Sequence, residues 1–135
     1  MKLRVKRLGH VSLGCVDLEA SVAAFQALLG AAVAHEFRDS AGERYGVFLA
    51  TGGGSFLELF REPSPTGGKG LFRHLCFEVE DIDMMADHVR QLGHVVEVRR
   101  GRTDGILQFF VTEPGGTMIE FQQHDDQSTL RSFLV

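Results

Sequence analysis

A histidine, a short apolar run and an aspartate occur twice in this chain, and this duplication limits what the chain can fold into. The first copy is HVSLGCVD at residues 10–17, and the second is HLCFEVED at residues 74–81. The two copies are 64 positions apart. Because each half of the chain carries the same pattern, the sequence predicts two similar modules.

Each copy of the pattern continues into a segment with helical periodicity. After Asp17 the apolar residues recur at spacings of three and four until Gly30, and after Asp81 they do the same until Gly93. Both segments are predicted to be amphipathic helices, with the aspartate as N-cap and the glycine as the stop. The apolar positions are Leu18, Val22, Phe25 and Leu29 in the first copy, and Ile82, Met85, Val89 and Leu92 in the second.

Three runs rich in strand-forming residues follow each predicted helix. They cover about 32–39, 44–51 and 55–61 in the first half, and 95–100, 106–112 and 117–123 in the second. With the strand that carries each histidine, this predicts an α+β fold of tandem βαβββ modules. We expect a single domain over 1–135, with modules at about 5–61 and 71–123, a linker at 62–70 and a C-terminal tail at 124–135.

Composition limits the partners that this chain can have. Its 135 residues are 44% hydrophobic and 24% charged, which is typical of one globular domain with a real core. The formal charge of -4 gives no attraction to nucleic acid. No apolar stretch reaches the ~20 residues of a membrane span. We therefore expect a cytoplasmic protein that binds a small molecule, not nucleic acid or a membrane, with Cys15 and Cys76 as reduced core thiols.

The last strands of the two modules also match. GGSFLELF at 53–60 aligns with GGTMIEF at 115–121, and this places Glu58 and Glu120 at equivalent positions. Strand alternation directs the apolar neighbours of these residues, and of the two histidines, towards the helices. His10, Glu58, His74 and Glu120 are therefore predicted to lie on the face that no helix covers.

This set of side chains is suited to a metal ion. Glu58 stands between Phe56 and Phe60, and a carboxylate in such a setting is costly unless a charge neutralises it. Two imidazoles and two carboxylates suit one divalent ion per site, such as Zn²⁺, Ni²⁺, Co²⁺ or Mn²⁺. The alternative is that the histidines are satisfied within their strands and that the carboxylates are rim residues left from a duplication.

The other histidines fall outside the matched positions. His35, His88 and His94 are expected to have surface or packing roles. His124 shares the face of Glu120, where it is expected at a solvated strand end or at the edge of a cavity.

Three segments carry a resemblance to a known family. LGHVSLGCVDLEASVAAFQALLG, FRHLCFEVEDIDMMADHVRQLG and EPGGTMIEF resemble the vicinal oxygen chelate superfamily, and most closely its branch of glyoxalase I (lactoylglutathione lyase) and methylmalonyl-CoA epimerase. The resemblance implies that the modules curve as a mixed sheet around a cavity with a metal site. It also implies a homodimer in which His10 and Glu58 of one chain meet His74 and Glu120 of the other, although two modules of one chain closing on each other fit the sequence equally well.

The same resemblance implies an activity. Glu58 occupies a place where glyoxalase I has a glutamate and the epimerases tend to have a glutamine, which favours a metal-dependent carbon–sulfur lyase of the glyoxalase I type. Such an enzyme moves a proton next to a carbonyl through a metal-stabilised enediolate, for example in converting a methylglyoxal–thiol hemithioacetal to a thioester. Glu120 would be the principal base, and Glu58 a ligand that can act as a second base.

Two alternatives remain open. The chain could be an acyl-CoA epimerase of the same superfamily, or a binding or resistance protein without catalysis whose cavity is lined by Phe48, Phe56, Phe60, Phe109 or their neighbours. One departure bears on the substrate, because Gly14 stands where bacterial glyoxalase I often has an arginine that holds the glutathione carboxylate. The arginines that could replace it are Arg44, Arg61, Arg73 and those at 99–102.

Overall fold

The computed structural model describes residues 7–8, 10–63, 72 and 74–134. The predicted linker from residue 64 onwards, the start of the first module and Arg73 lie outside the described residues. The chain divides into two compact units, residues 1–68 and 69–135. Each unit is described by itself.

The first unit is a four-stranded mixed sheet with one helix. Strand β1 (His10–Cys15) is followed by α1 (Leu18–Leu29), β2 (Ala32–Arg38), β3 (Arg44–Gly52) and β4 (Ser55–Arg61). The strands are ordered β1-β4-β3-β2. β1 pairs with β4 in parallel, and the other neighbours are antiparallel.

The second unit repeats this arrangement. It contains β5 (Leu75–Glu78), α2 (Ile82–Gln91), β6 (Arg99–Arg100), β7 (Leu107–Thr112) and β8 (Met118–Gln123), and a 3₁₀ turn at Arg131–Phe133 follows. The order is β5-β8-β7-β6, again with the first and last strands parallel. The predicted α+β fold with two βαβββ modules is therefore confirmed.

Both helices begin and end where the sequence predicts. The Asp17 carboxylate accepts a hydrogen bond from the Ala20 amide at 3.0 Å, and Asp81 accepts one from Met84 at 2.9 Å. Gly30 ends α1 in the left-handed conformation, with φ of 63°, which a residue with a Cβ would adopt at a cost. No helix in the described part of the chain is long and apolar enough to cross a membrane.

Each helix packs on one face of its own sheet. In the first unit Val22 and Phe25 of α1 are buried together with Val47, Leu49 and Leu59, which alternate along β3 and β4. The buried residues of the second unit follow the same rule and include Ile82, Ala86, Val89, Phe109, Ile119 and Phe121. The alternate side chains of the strands consequently point to the face that the unit's helix leaves open.

The strand predicted at 95–100 is shorter than expected, since only Arg99 and Arg100 are extended in the sheet. The backbone before them is held by the end of α2. The His94 amide donates to the Val89 carbonyl at 3.3 Å, and the Arg90 guanidinium donates to the Val96 carbonyl at 3.0 Å. Since the His94 amide and the Val96 carbonyl already form hydrogen bonds with α2, they do not extend the hydrogen bonding of the sheet.

The two cysteines have different environments. Cys15 is buried, as predicted for a core thiol. Cys76 is exposed, so its predicted place in the core was wrong. Its position on β5 explains the difference, because residue 76 alternates with the buried Leu75 and lies on the open face.

We expect the α2 cap to contribute measurably to stability. Asp81→Ala removes the side-chain acceptor for Met84 and should lower the free energy of unfolding by about 1 kcal/mol. Asp81→Asn, which keeps an acceptor, is the matched control and should change it by a few tenths at most. Urea unfolding followed by circular dichroism measures both. Equal losses in the two variants would contradict this role of the cap.

Candidate metal and catalytic site

Parallel pairing of β1 with β4 brings His10 and Glu58 to the same face of the first sheet. Ser12 lies directly opposite Glu58, and His10 lies opposite Phe56, two residues before Glu58. The His10 Nε2 and Glu58 Oε1 atoms are 3.9 Å apart. The Glu58 side chain is only 16% exposed, so this imidazole is part of its immediate surroundings.

The second unit repeats the pair with a closer contact. His74 immediately precedes β5, and Cys76 lies directly opposite Glu120 of β8. The His74 Nε2 and Glu120 Oε2 atoms are 2.9 Å apart, which is the length of a good hydrogen bond. Glu120 is buried, with 8% of its surface exposed, and a carboxylate in that position requires a hydrogen-bond donor or a cation.

A phenylalanine completes each pair, and the sequence reasoning identified only one of the two. Phe48 lies opposite Glu58 and meets the His10 ring edge-on at 5.3 Å. Phe110 lies opposite Glu120 and meets the His74 ring in the same way at 5.6 Å. Phe109, predicted to line the cavity, instead packs on Phe121 in the core. Spacing could have identified Phe110, because Phe48 and Phe110 are separated by the same number of residues as Glu58 and Glu120.

A pocket of about 470 Å³ opens beside His10 in the first unit. Most of its wall is apolar, and it includes His35, whose ring packs edge-on against Phe37 at 4.7 Å. His35 is therefore an exposed residue of the pocket wall, within the surface role predicted for it. The residues that line the pocket are His10, Ala34, His35, Phe48, Gly54 and Phe56.

The donor atoms of each pair fit a divalent ion. Ligands about 2.1 Å from one ion, at tetrahedral or octahedral angles, are about 3.0–3.4 Å apart. The separation in the His74–Glu120 pair is close to this range, and that in the His10–Glu58 pair is about half an ångström beyond it. An imidazole nitrogen and a carboxylate oxygen are also the donors that zinc and its neighbours accept. A metal ion bound by either pair would replace the direct contact between the imidazole nitrogen and the carboxylate oxygen.

The four predicted ligands form two pairs, one in each unit. Within either unit, the described residues contain no group of three or more His, Cys, Asp or Glu side chains arranged to hold a metal ion. His124 lies beyond the end of β8, where one ring nitrogen contacts Ser128 Oγ at 2.7 Å and the other contacts Gln122 Nε2 at 3.1 Å.

Four of the arginines considered as substitutes at the Gly14 position are engaged in ion pairs. Arg44 binds the Glu19 and Glu36 carboxylates, and its hydrogen bond to Glu19 raises its pKa. Arg100 makes two 2.9 Å hydrogen bonds to Asp125 and anchors the C-terminal tail. Arg61 and Arg99 pair with Glu43 and Glu97. Gly14 has little room for a side chain, since a Cβ there would lie 2.2 Å from the Glu62 carboxylate.

Cys76 differs chemically from its counterpart Ser12. Burial of the thiol raises the pKa of Cys76 to about 12, and the charge of Glu120, a hydrogen bond to Glu120 and the charge of Glu78 act in the same direction. The thiol is therefore protonated at neutral pH, and it donates its proton to Glu120. The Glu120 carboxylate thus has donors from both His74 and Cys76.

We expect Cys76 to react slowly although the residue is exposed. Because its pKa is raised to about 12, alkylation by iodoacetamide at pH 8 should be at least a hundredfold slower than that of an unperturbed thiol, and should keep increasing with pH beyond the point at which an unperturbed thiol is fully ionised. Glu120→Gln removes the charge that disfavours the thiolate, so the rate should increase. Mass spectrometry in a Cys15→Ser background, with a chelator present, measures both rates. A wild-type rate equal to that of free cysteine would contradict the raised pKa.

Comparisons with known proteins agree with this duplicated architecture. Residues 7–121 match the profile of the Glyoxalase/Bleomycin resistance protein/Dioxygenase superfamily. The chain is 33% identical over 101 residues to an ethylmalonyl-CoA/methylmalonyl-CoA epimerase of Cereibacter sphaeroides, covering 66% of this chain and 72% of that protein. It is 29% identical to the uncharacterized protein YaeR of Escherichia coli, covering 90% and 98%.

A solved structure shows the same likeness. The glyoxalase family protein of Enterococcus faecalis superposes with a TM-score of 0.70 at 25% identity, covering 87% of this chain and 97% of that one. The profile match spans both units, including His10, Glu58, His74 and Glu120. This chain therefore belongs to the Glyoxalase/Bleomycin resistance protein/Dioxygenase superfamily, which is also called the vicinal oxygen chelate superfamily.

Proposed function

We propose that this protein is a divalent-metal-dependent lyase or isomerase of the glyoxalase I type, acting on a proton next to a carbonyl. One observation carries the proposal: each unit places one glutamate beside one histidine at the same position of its open sheet face. A structural role for each pair would not require the same two residue types in both copies. Two imidazoles and two carboxylates together supply the four donors of one divalent ion.

The proposed centre takes two ligands from the first unit and two from the second. His10, Glu58, His74 and Glu120 would hold one divalent ion of the zinc, nickel, cobalt or manganese class. The bound ion supplies a Lewis acid that polarises a carbonyl oxygen and so makes the neighbouring C–H bond more acidic. We further propose that the protein works as a homodimer on a small molecule in the cytoplasm.

The proton is moved by the side chains of this chain. The Glu120 carboxylate accepts the proton from the carbon next to the carbonyl and returns it to the adjacent carbon, so the reaction is an isomerisation without net oxidation. His74 and Cys76 donate to this carboxylate and orient it. Phe110 lies opposite it on β7. We propose Glu58 as a second base for the other face of the substrate.

Epimerisation of an acyl thioester is a second candidate. The 33% identity to an ethylmalonyl-CoA/methylmalonyl-CoA epimerase favours it, and both reactions begin with removal of a proton next to a carbonyl. The two reactions differ in where the proton returns, which is the neighbouring carbon in the isomerisation and the same carbon in the epimerisation. Glu58, in a place where the epimerases tend to have a glutamine, favours the isomerisation.

Metal content tests the proposed centre directly. After dialysis against mixed divalent ions, elemental analysis of the size-exclusion peak should give about one ion per chain in a dimer. Glu58→Ala and His74→Ala should each reduce the content severalfold, because each removes one ligand. His88→Ala, outside the proposed centre, is the matched control and should keep the ion. A folded wild-type protein without any metal would overturn the catalytic proposal and favour a binding protein that uses the aromatic pocket.

Activity separates the two candidate reactions. The metal-loaded protein should convert the hemithioacetal of methylglyoxal and glutathione to a thioester, and Glu120→Gln should lower kcat at least a hundredfold because the principal base is lost. The competing assay follows deuterium uptake from heavy water into methylmalonyl-CoA by mass spectrometry. Deuterium uptake without turnover of the hemithioacetal would contradict the proposed isomerisation and favour the epimerisation.

A further inference from the structure

The second unit carries a row of polar side chains next to Glu120. One side chain from each of the four strands contributes to it, and each lies directly opposite the next. We call these residues the polar row: Glu78 on β5, Gln122 on β8, Gln108 on β7 and Arg99 on β6. Gln122 is two residues beyond Glu120 on β8. The polar row therefore shares the open face with Glu120 and lies about 7 Å from it along the strands.

The first unit has an apolar row at the equivalent place. The residues of this apolar row are Gly14 on β1, Phe60 on β4, Gly46 on β3 and Phe37 on β2. The Phe60 ring lies over Gly46, where a Cβ would be 2.5 Å from it, and it contacts the Phe37 ring at a centroid distance of 5.1 Å. The apolar row is therefore closed by rings, whereas the polar row presents hydrogen-bonding groups.

The Gln122 carboxamide is held in one orientation. Its nitrogen is 3.1 Å from His124 Nε2, and His124 Nδ1 is 2.7 Å from Ser128 Oγ. Because the Gln122 NH₂ donates to Nε2, the His124 proton is on Nδ1 and is donated to Ser128. Ser128 is buried and also accepts the Leu130 amide at 3.2 Å. The C-terminal tail thus fixes the side-chain amide of Gln122. The side-chain carbonyl oxygen of Gln122 takes no part in these contacts.

We propose that Gln108 and Gln122 determine substrate specificity by binding an amide group of the substrate. This inference rests on the proposed function and adds the residues that select its substrate. A carboxamide both donates and accepts, as an amide does, so the two glutamines can pair with the N–H and C=O groups of one ligand amide. The charged ends of the row are less suited to this, since Arg99 is exposed and paired with Glu97.

The distance between the polar row and Glu120 limits the class of substrate. An amide about 7 Å from the proton-accepting carboxylate matches a thioester or hemithioacetal whose thiol carries an amide a few bonds from sulfur. Cysteinyl peptides and pantetheine-type thiols both meet this requirement. The shared chemistry is a thiol carrier with an amide near its sulfur atom.

Binding of stable thioethers tests the inference without any turnover. Calorimetry would compare N-acetyl-S-hexylcysteamine with 2-(hexylthio)ethyl acetate, which has an ester in place of the amide. Wild type should bind the amide about three- to tenfold more tightly, as expected for one or two hydrogen bonds. Gln108→Met and Gln122→Met, similar in length but unable to pair, should each reduce that preference. Gln91→Met, at the exposed end of α2, is the matched control and should keep it.

Two further ligands distinguish the sources of the amide. S-hexylglutathione represents the cysteinyl peptides, and S-hexylpantetheine represents the pantetheine class. The one whose affinity falls about three- to tenfold in both glutamine variants is the class that this row recognises. Equal binding of the amide and ester thioethers by wild type, or an unchanged preference in both folded variants, would overturn the inference. Failure of the proposed function would appear separately, as absent metal or absent turnover with this amide preference intact.

Discussion

Parallel pairing between the first and last strands of each unit is the constraint on which the site depends. In a βαβββ module the helix returns the chain, so that the last strand lies beside the first in the same direction. His10 and Glu58 are far apart in sequence, yet this pairing brings their side chains within 3.9 Å. The same connection brings His74 to Glu120. Without the parallel pair, neither carboxylate would have its imidazole.

The apolar core holds these carboxylates in register. Glu58 lies between Leu57 and Leu59, which are buried beneath α1, and Glu120 lies between Ile119 and Phe121 in the same way. A slip of one residue along either strand would move a carboxylate into the core and bring two large apolar side chains onto the open face. Because each half of that change is costly, helix packing fixes which face presents the acidic group.

Local signals explain how much of this could be predicted from the sequence. The helices were predicted to the residue at their starts, because Asp17 and Asp81 act as caps through local hydrogen bonds. The face of each candidate ligand followed from strand alternation. The extent of β6 could not be predicted in this way, since it depends on the contact of Arg90 with Val96. The raised pKa of Cys76 likewise depends first on burial of the thiol and then on the charge of Glu120 on the paired strand, which no local pattern reports.

Comparison of the two units separates what the duplicated scaffold requires from what each copy has changed. One row across both sheets keeps a glutamate opposite a phenylalanine and beside a histidine, although Ser12 of the first copy is replaced by Cys76 in the second. The next row has diverged completely, from Phe60 over Gly46 in one copy to Gln122 beside Gln108 in the other. The backbone pairing is the same in both, so folding alone does not demand either set. Under the function proposed above, the first row supplies the ligands and the proton acceptors, and the second row recognises the substrate.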